Sequence, residues 1–182
     1  MTWYMDWEIQ FLDALQGIRG PVLDNIMAFL SDLGNAGIFW ITIGLLLLIP
    51  KKCRKYGLQM LVAMALTFVV GNLILKNIFD RTRPCQVFVD MYQLTVKIPF
   101  DSSFPSGHTM NGITGALSLM YMDKRVGIPA LILAAAIAFS RMYNFMHWPT
   151  DVLAGIVIGI MSAVFVNFVF RKRVWKNISP SK

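Results

Sequence analysis

The chain has 182 residues, of which 56% are hydrophobic and only 15% are charged, and its mean hydropathy is +0.57. This composition excludes an ordinary water-soluble domain and is typical of an integral membrane protein. The formal net charge of +7 would suggest a nucleic-acid partner for a soluble protein. Here the basic residues cluster in particular loops instead, so no nucleic acid is expected as a partner.

The N-terminal segment, residues 1–32, has apolar residues at helical spacing but too many charges to span a membrane. We predict two amphipathic helices in the outer interface, separated at Gly20-Pro21. The alternative, equally weighted, is that they pack against the bundle as ordinary surface helices. The first residues are aromatic and acidic, and no cleavage site follows them, so a cleaved signal peptide is not expected.

Five long apolar runs follow, each long enough to cross or nearly cross about 30 Å of hydrocarbon. They lie at 33–50, 56–79, 106–122, 126–143 and 149–170. The sequence therefore predicts an all-α, polytopic transmembrane bundle of about five spanning helices over residues 33–170, with a basic cytoplasmic tail at 171–182.

Eleven of the 17 Lys and Arg residues lie in three segments, 51–55, 124–125 and 171–182. Five consecutive spans place these segments on one side, which the positive-inside rule assigns to the cytoplasm. The loops at 80–105 and 144–148 then face outward. We predict a multi-pass protein of the plasma membrane with its functional site on the extracytoplasmic side.

Four of the predicted spans contain one ionisable residue each, near the outward end of the helix. These residues are Lys76, His108, Arg141 and Asp151. Ionisable groups within spans are costly and usually mark function. Their arrival at one membrane level from four helices predicts a site.

Two further features concern the surroundings of that site. The outward loop 80–105 is long for a compact bundle, and its basic and aromatic residues suit a lid over an amphiphilic substrate, although it could be a plain connector. Gly155 and Gly159 form a small-xxx-small pair, which favours close helix packing within the bundle. The same pair could instead form the face of a homodimer.

The polar exceptions form three blocks: Lys76-x6-Arg83-Pro84, then Pro105-Ser106-Gly107-His108, then Ser140-Arg141-x5-His147-x3-Asp151. Lys76, Arg83 and Arg141 can neutralise phosphate oxygens. Ser106 and the Gly107 N–H, at a helix N-terminus, can add hydrogen bonds to the same oxygens. Together these five residues predict a phosphate-binding site.

The remaining three residues can supply catalysis. Asp151, in the first turn of a helix, could reach back to His147 and fix its tautomer, which leaves the other ring nitrogen free to attack phosphorus. His108, from another helix, is then the candidate acid for the leaving oxygen. With two His and two Cys in the chain, a zinc site lacks ligands, so neither a metal nor a cofactor is expected.

Each residue also has a plainer explanation. Lys76 and Arg141 could be interfacial anchors, His108 a helix cap, and His147 with Asp151 a buried polar pair. The convergence of all of them at one level favours a catalytic phosphate site.

The three blocks resemble the signature of the type 2 phosphatidic acid phosphatase superfamily, which includes lipid phosphate phosphatases, bacterial undecaprenyl pyrophosphate phosphatases and soluble vanadium haloperoxidases. The resemblance runs from Lys76 to Asp151, with no signature position substituted. It implies a phosphohistidine formed on His147, with Asp151 orienting it and His108 protonating the leaving group. Membrane members commonly have six spans, whereas five are counted here.

The resemblance implies a membrane lipid phosphatase that acts on a long-chain lipid phosphate or diphosphate in the outer leaflet. Undecaprenyl diphosphate is the favoured substrate, with phosphatidic acid or phosphatidylglycerol phosphate as the alternative. A lipid-phosphate binder or transporter without activity is a second class, which His147 and Asp151 argue against because binding alone needs no oriented nucleophile. Haloperoxidase activity is a third, disfavoured by the hydrophobic spans.

Overall fold

The computed structural model describes residues 2–89, 96 and 98–174, and the secondary structure of these residues is entirely helical. Most of the predicted basic tail, 171–182, lies outside the described residues, as do Met91, Tyr92 and Lys97 of the predicted lid. The nine α-helices of the described part are α1 (Asp6–Gln16), α2 (Pro21–Leu33), α3 (Ile38–Leu46), α4 (Arg54–Phe68), α5 (Lys76–Phe79), α6 (Pro84–Val87), α7 (Gly107–Met122), α8 (Lys124–Tyr143) and α9 (Pro149–Val169).

Short non-α segments join or extend several of these helices. A 3-10 turn, Asn35–Gly37, separates α2 from α3, and a π-helical segment, Val69–Leu75, joins α4 to α5 without a break. A second π segment, Phe170–Val174, extends α9. Lys76 therefore lies in the last turn of one long helix that begins at Arg54.

Three helical segments are long and apolar enough to cross a membrane, namely Arg54–Val87, Lys124–Tyr143 and Pro149–Lys172. Helices α2 and α3, bent by 43° at their junction, would form a fourth if they act as one broken span. These segments confirm a multi-pass helical architecture. Helix α7 has 16 residues, which gives a length of about 24 Å, so the predicted count of five spans stays a prediction.

The predicted run 33–50 is not one straight helix. The chain bends at Asn35–Gly37, where Gly37 adopts a φ of +68°, a left-handed conformation that glycine accepts readily. Helix α3 then ends at Leu46, and turns cover residues 47–53. The bend places Gly34, Asn35 and Ala36 against the cavity described below.

Helix α7 lies at the centre of the bundle, in contact with α4, α8 and α9. A core cluster that includes Trp40, Met60, Ile113 and Ile137 fills the space between α3, α4, α7 and α8. The face of α9 that points away from the bundle is apolar and exposed. It includes Leu153, Val157, Met161, Phe165 and Phe168. That face suits contact with lipid chains.

Gly155 and Gly159 bring α9 close to α7. A methyl group placed on Gly155 would lie 3.0 Å from the carbonyl oxygen of Ser106, and one on Gly159 would lie 2.9 Å from that of Met110. The predicted close helix contact within the bundle is therefore confirmed, and it brings the first turn of α9 against the first turn of α7.

Helix α1 packs against the bundle. Leu12 is fully buried in a second apolar cluster with Cys85, Phe145, Met146 and Trp148. One face of α1 is therefore covered by protein, which brings the N-terminal residues beside the loop that carries His147. The interfacial position of the N-terminal helices stays a prediction.

Candidate active site

A cavity of about 230 Å³ opens between the α2–α3 bend, the end of the α4–α5 helix, the start of α7 and the α8–α9 connection. Six of the eight predicted site residues line it: Lys76, Arg83, Gly107, His108, Arg141 and His147. The other two, Ser106 and Asp151, are fully buried next to these residues in the chain or in space. The three blocks, far apart in sequence, thus meet at one place.

Arg83 is the most extensively bonded of the three cations. It precedes Pro84, the first residue of α6, in an extended conformation. Its guanidinium donates to the Asp101 carboxylate at 2.7 Å, to the Met146 carbonyl at 2.9 Å and to His147 Nε2 at 3.2 Å. Arg83 therefore ties the loop at residue 101 to the connection before α9.

The other two cations approach the cavity from helices. Lys76 pairs with the carboxylate of Asp101. Arg141 is buried near the end of α8 and donates to the Ser31 hydroxyl, while its Nε–H makes no hydrogen bond to the described residues. Because Arg141 lines the cavity, its charge can attract an anion there.

The tautomer of His147 follows from its neighbours. Arginine can only donate, so His147 Nε2 is unprotonated and its lone pair accepts from Arg83. The proton of a neutral ring then lies on Nδ1, which is 3.4 Å from Asp151 Oδ2. Burial, followed by the charges of Arg83, Arg141 and Lys76, lowers the pKa of His147 well below 6.5. The imidazole is therefore neutral at pH 7, with its lone pair at the cavity.

Asp151 sits in the first turn of α9, which begins with Pro149. Its Oδ2 accepts from the Trp148 backbone N–H at 2.8 Å, and its Oδ1 accepts from Arg81 at 2.5 Å. The distance of 3.4 Å to His147 exceeds a good N–H···O hydrogen bond, so the two side chains face each other without a tight bond.

His108 lies in the first turn of α7, across the cavity. Its Nε2 is 3.1 Å from the Ser31 carbonyl and 3.1 Å from the Asn35 side-chain oxygen. Because a carbonyl only accepts, the proton of His108 lies on Nε2. The predicted acid therefore carries its proton on a ring nitrogen held by the α2–α3 bend.

Ser106 and Gly107 differ in their access to the cavity, because only Gly107 lines it. Ser106 precedes α7 and is fully buried; its hydroxyl accepts from Thr109 at 3.0 Å, and its N–H donates to the Asp151 carbonyl at 3.1 Å. Gly107 lines the cavity and is the first residue of α7. The start of α7 thus presents its free backbone amides beside the three cations.

Sequence reasoning missed three charged residues at the site. Arg81 and Asp101 lie in the predicted outward loop, and Glu8 lies in a predicted amphipathic helix, but none of the three is among the predicted site residues. Arg81 and Glu8 are fully buried and paired with each other at 2.9 Å. The spacing of Arg81, two residues before Arg83, was a signal that could have found it; Glu8 and Asp101 carry no such signal.

The fold and the cavity define a class: a multi-pass helical membrane protein whose cavity combines three cations with two histidines. The sequence profile of the PAP2 superfamily matches residues 56–175. Because this match covers more than half of the chain, the chain belongs to the PAP2 superfamily, and the predicted family is confirmed.

Two relatives and one solved structure are similar to this chain. An undecaprenyl-diphosphatase of Sulfolobus acidocaldarius is 36% identical over 138 residues, which cover 75% of this chain and 66% of that protein. The undecaprenyl-diphosphatase BcrC of Bacillus subtilis is 27% identical over 170 residues, which cover 91% and 82%. The crystal structure of Aquifex aeolicus LpxE superposes with a TM-score of 0.79 at 24% identity, covering 90% of this chain and 96% of that one.

The relatives confirm the predicted class of enzyme, a phosphatase. The match to LpxE confirms the helical fold alone, because its identity with this chain is low. The family match begins at Tyr56, so α1, α2 and α3 lie outside it although they contribute to the cavity and its surroundings.

Proposed function

We propose that this protein is a membrane lipid phosphatase that hydrolyses a long-chain lipid diphosphate, with undecaprenyl diphosphate as the favoured substrate, through a phosphohistidine on His147. The observation that carries the proposal is the arrangement of His147. Its Nε2 lone pair faces a cavity lined by Lys76, Arg83 and Arg141, while its Nδ1 faces Asp151. The two undecaprenyl-diphosphatase relatives support the choice of substrate.

The reaction proceeds in two steps. In the first, the Nε2 lone pair of His147 attacks the terminal phosphorus, the bond from phosphorus to the bridging oxygen breaks, and that oxygen takes a proton from the imidazolium form of His108, which becomes neutral. In the second, His108 accepts a proton from water, whose oxygen attacks phosphorus and breaks the P–N bond. The products are a lipid monophosphate and inorganic phosphate.

The surrounding groups stabilise the charge that develops during transfer. The three cations and the amides at the start of α7 would hold the equatorial oxygens of the phosphoryl group. Asp151 would stabilise the positive imidazole ring as the P–N bond forms. Arg83 donates to the His147 Nε2 lone pair, which must be released before it can attack phosphorus. The guanidinium of Arg83, now 3.2 Å from Nε2, must therefore shift from the ring to the phosphate.

The first test is phosphate release by the purified protein in detergent with EDTA. The substrates are a polyprenyl diphosphate, phosphatidic acid, phosphatidylglycerol phosphate and a water-soluble phosphate ester, each with His147→Ala beside the wild type. We expect turnover in EDTA, fastest on the diphosphate and lost in the variant, because a nitrogen nucleophile and cations can carry the reaction. Faster release from either phosphoglyceride would favour the alternative lipid substrates.

Other outcomes would point elsewhere. Loss of turnover in EDTA that magnesium restores would overturn the metal-independent mechanism, although the described residues contain no cluster of three or more metal-ligating side chains. Binding of the lipids without any release would favour a binder or transporter. In that case His147 would be structural.

The orientation in the membrane belongs to the same proposal. With α2–α3 and α7 counted as spans, five spans place the cavity on the extracytoplasmic side. In a Cys53→Ser background, Phe100→Cys, a fully exposed position, should react with an impermeant maleimide on intact cells, and Lys124→Cys should not. The reverse pattern would contradict an outward-facing site.

A further inference from the structure

The proposed chemistry leaves Arg81 without a role, although it is one of the largest fully buried side chains in the described part of the protein. Its Nη1 donates to Asp151 Oδ1 at 2.5 Å, and its Nη2 donates to Glu8 Oε2 at 2.9 Å. One guanidinium thus joins a carboxylate of α9 to a carboxylate of α1. All three charged side chains are closed to solvent.

Glu8 has no free hydrogen-bonding capacity left for another task. Its Oε2 also accepts from the Met5 N–H at 2.9 Å. Its Oε1 accepts from the Thr150 hydroxyl at 2.6 Å and from the Thr150 N–H at 3.2 Å. Because Thr150 is the second residue of α9, Glu8 satisfies one of the free amides at the start of that helix.

The plane of the Arg81 guanidinium is fixed by aromatic and backbone contacts. Its central carbon lies 3.8 Å from the ring centre of Trp3 and 5.3 Å from that of Trp148. Its Nε donates to the Trp3 carbonyl at 3.0 Å. A guanidinium held in this way offers its two donors in one orientation only.

We propose that Glu8 and Arg81 are positioning residues, which act through Asp151 to orient His147. This inference rests on the proposed function. With Oδ1 held by Arg81 and Oδ2 held by the Trp148 N–H, the carboxylate is fixed in orientation, and its Oδ2 lies 3.4 Å from His147 Nδ1, which makes no hydrogen bond to the described residues. Glu8 lies outside residues 56–175, so this chain uses a helix beyond the family match to hold a residue within it.

A role in stability alone predicts a different result. A buried ion network costs desolvation energy, and replacing it by apolar groups is often neutral. A network that serves orientation should affect the chemical step in folded protein, because a displacement of about 1 Å at a catalytic group costs on the order of 100-fold in rate.

The test uses the full chain and the isosteric change Glu8→Gln. Asp6→Asn is the matched control, because it removes the same charge from an exposed position of the same helix. We expect Glu8→Gln to lower kcat by about 10-fold to 100-fold with KM within about twofold of wild type. Asp6→Asn should leave both unchanged. Arg81→Lys, with a single ammonium that cannot bridge both carboxylates rigidly, should resemble Glu8→Gln.

A double-mutant cycle with Asp151→Asn separates positioning from stability. If Glu8 acts through Asp151, Glu8→Gln should add less than about twofold to the loss in the Asp151→Asn background. An equal loss in both backgrounds, or an unchanged kcat for folded Glu8→Gln, would overturn the inference. Thermal unfolding in detergent identifies the folded variants, and Glu8→Gln decides the matter if Arg81→Lys does not fold.

A second measurement keeps this inference separate from the proposed function. Orthovanadate resembles a phosphoryl group during transfer to a nucleophile, and its binding by calorimetry needs no lipid substrate. Weaker vanadate binding by Glu8→Gln but not by Asp6→Asn would support the positioning role even if the wild type cleaves none of the lipids. Equal vanadate binding by both variants would contradict it.

Discussion

Asp101 and Asp151 are two carboxylates that each pair with an arginine at the same site, yet they occupy different environments. Asp101 lies at the mouth of the cavity with its side chain about half exposed (52%) and binds Arg83 and Lys76. Asp151 lies behind His147, outside the cavity lining, where it is fully buried and binds Arg81. Because Asp101 is exposed, a substrate can displace it from Arg83, whereas the buried pair of Asp151 and Arg81 is closed to a substrate.

Asp101 binds two of the cations that are proposed to hold the phosphate, Lys76 and Arg83. Burial raises the pKa of Asp101, but Lys76 and Arg83 lower it by more, so that it falls to about 2. At neutral pH the carboxylate is charged and pairs with two of the three cations in the cavity, Lys76 and Arg83. In the proposed mechanism a phosphate displaces Asp101 from these cations, whereas Asp151 stays bonded to Arg81 throughout.

We expect the largest effect on activity from replacing Asp151, the buried carboxylate. Asp151→Asn keeps the shape of the side chain but presents no charge to His147 and can stabilise the wrong tautomer. We expect kcat to fall by about 10⁴-fold, as for the orienting aspartate of a hydrolase triad. Steady-state kinetics on the preferred lipid would show it. A loss below about tenfold would mean that Asp151 does not orient the nucleophile.

Replacing Asp101, the exposed carboxylate, should instead strengthen the binding of phosphate. Asp101→Asn removes the carboxylate that competes for Lys76 and Arg83, so inorganic phosphate should inhibit at concentrations about fivefold lower, the size expected for a partly exposed ion pair. Asp6→Asn, an exposed change far from the cations, serves as the control. A higher inhibition constant for Asp101→Asn would show that Asp101 helps to hold the cations in place for phosphate.

The smallest effect is on stability at acid pH. Because the folded pKa of Asp101 lies below its ordinary 3.8, its contribution to stability is present above about pH 4 and is lost as the pH falls toward 2. Solvent exposure limits that contribution to about 1 kcal/mol or less. Unfolding in detergent should therefore show wild type more stable than Asp101→Asn at pH 6 and equal to it near pH 2. A constant difference across this range would contradict the ion pairing.

Much of the site could be predicted because its residues break a strong local pattern. Lys76, His108, Arg141 and Asp151 stand out in apolar runs, and the position of His147 just before a helix whose first turn contains Asp151 indicated that the two side chains could meet. Span boundaries were less predictable. The bend at Asn35–Gly37 interrupts a run whose hydropathy is continuous, because glycine conformation and packing, rather than hydropathy, decide where a helix turns.

By itself, the sequence determined the membrane class, the helical architecture, the family and the eight candidate residues, because hydropathy and motif spacing are local properties of the chain. Only the tertiary structure decided that Glu8 and Arg81, 73 residues apart, would pair and that Arg81 would bind Asp151. It also decided that Asp101 would pair with Lys76 and Arg83. Contacts of this kind depend on how distant helices and loops pack together. Glu8 and Asp101, taken in their local segments, are indistinguishable from solvated charges.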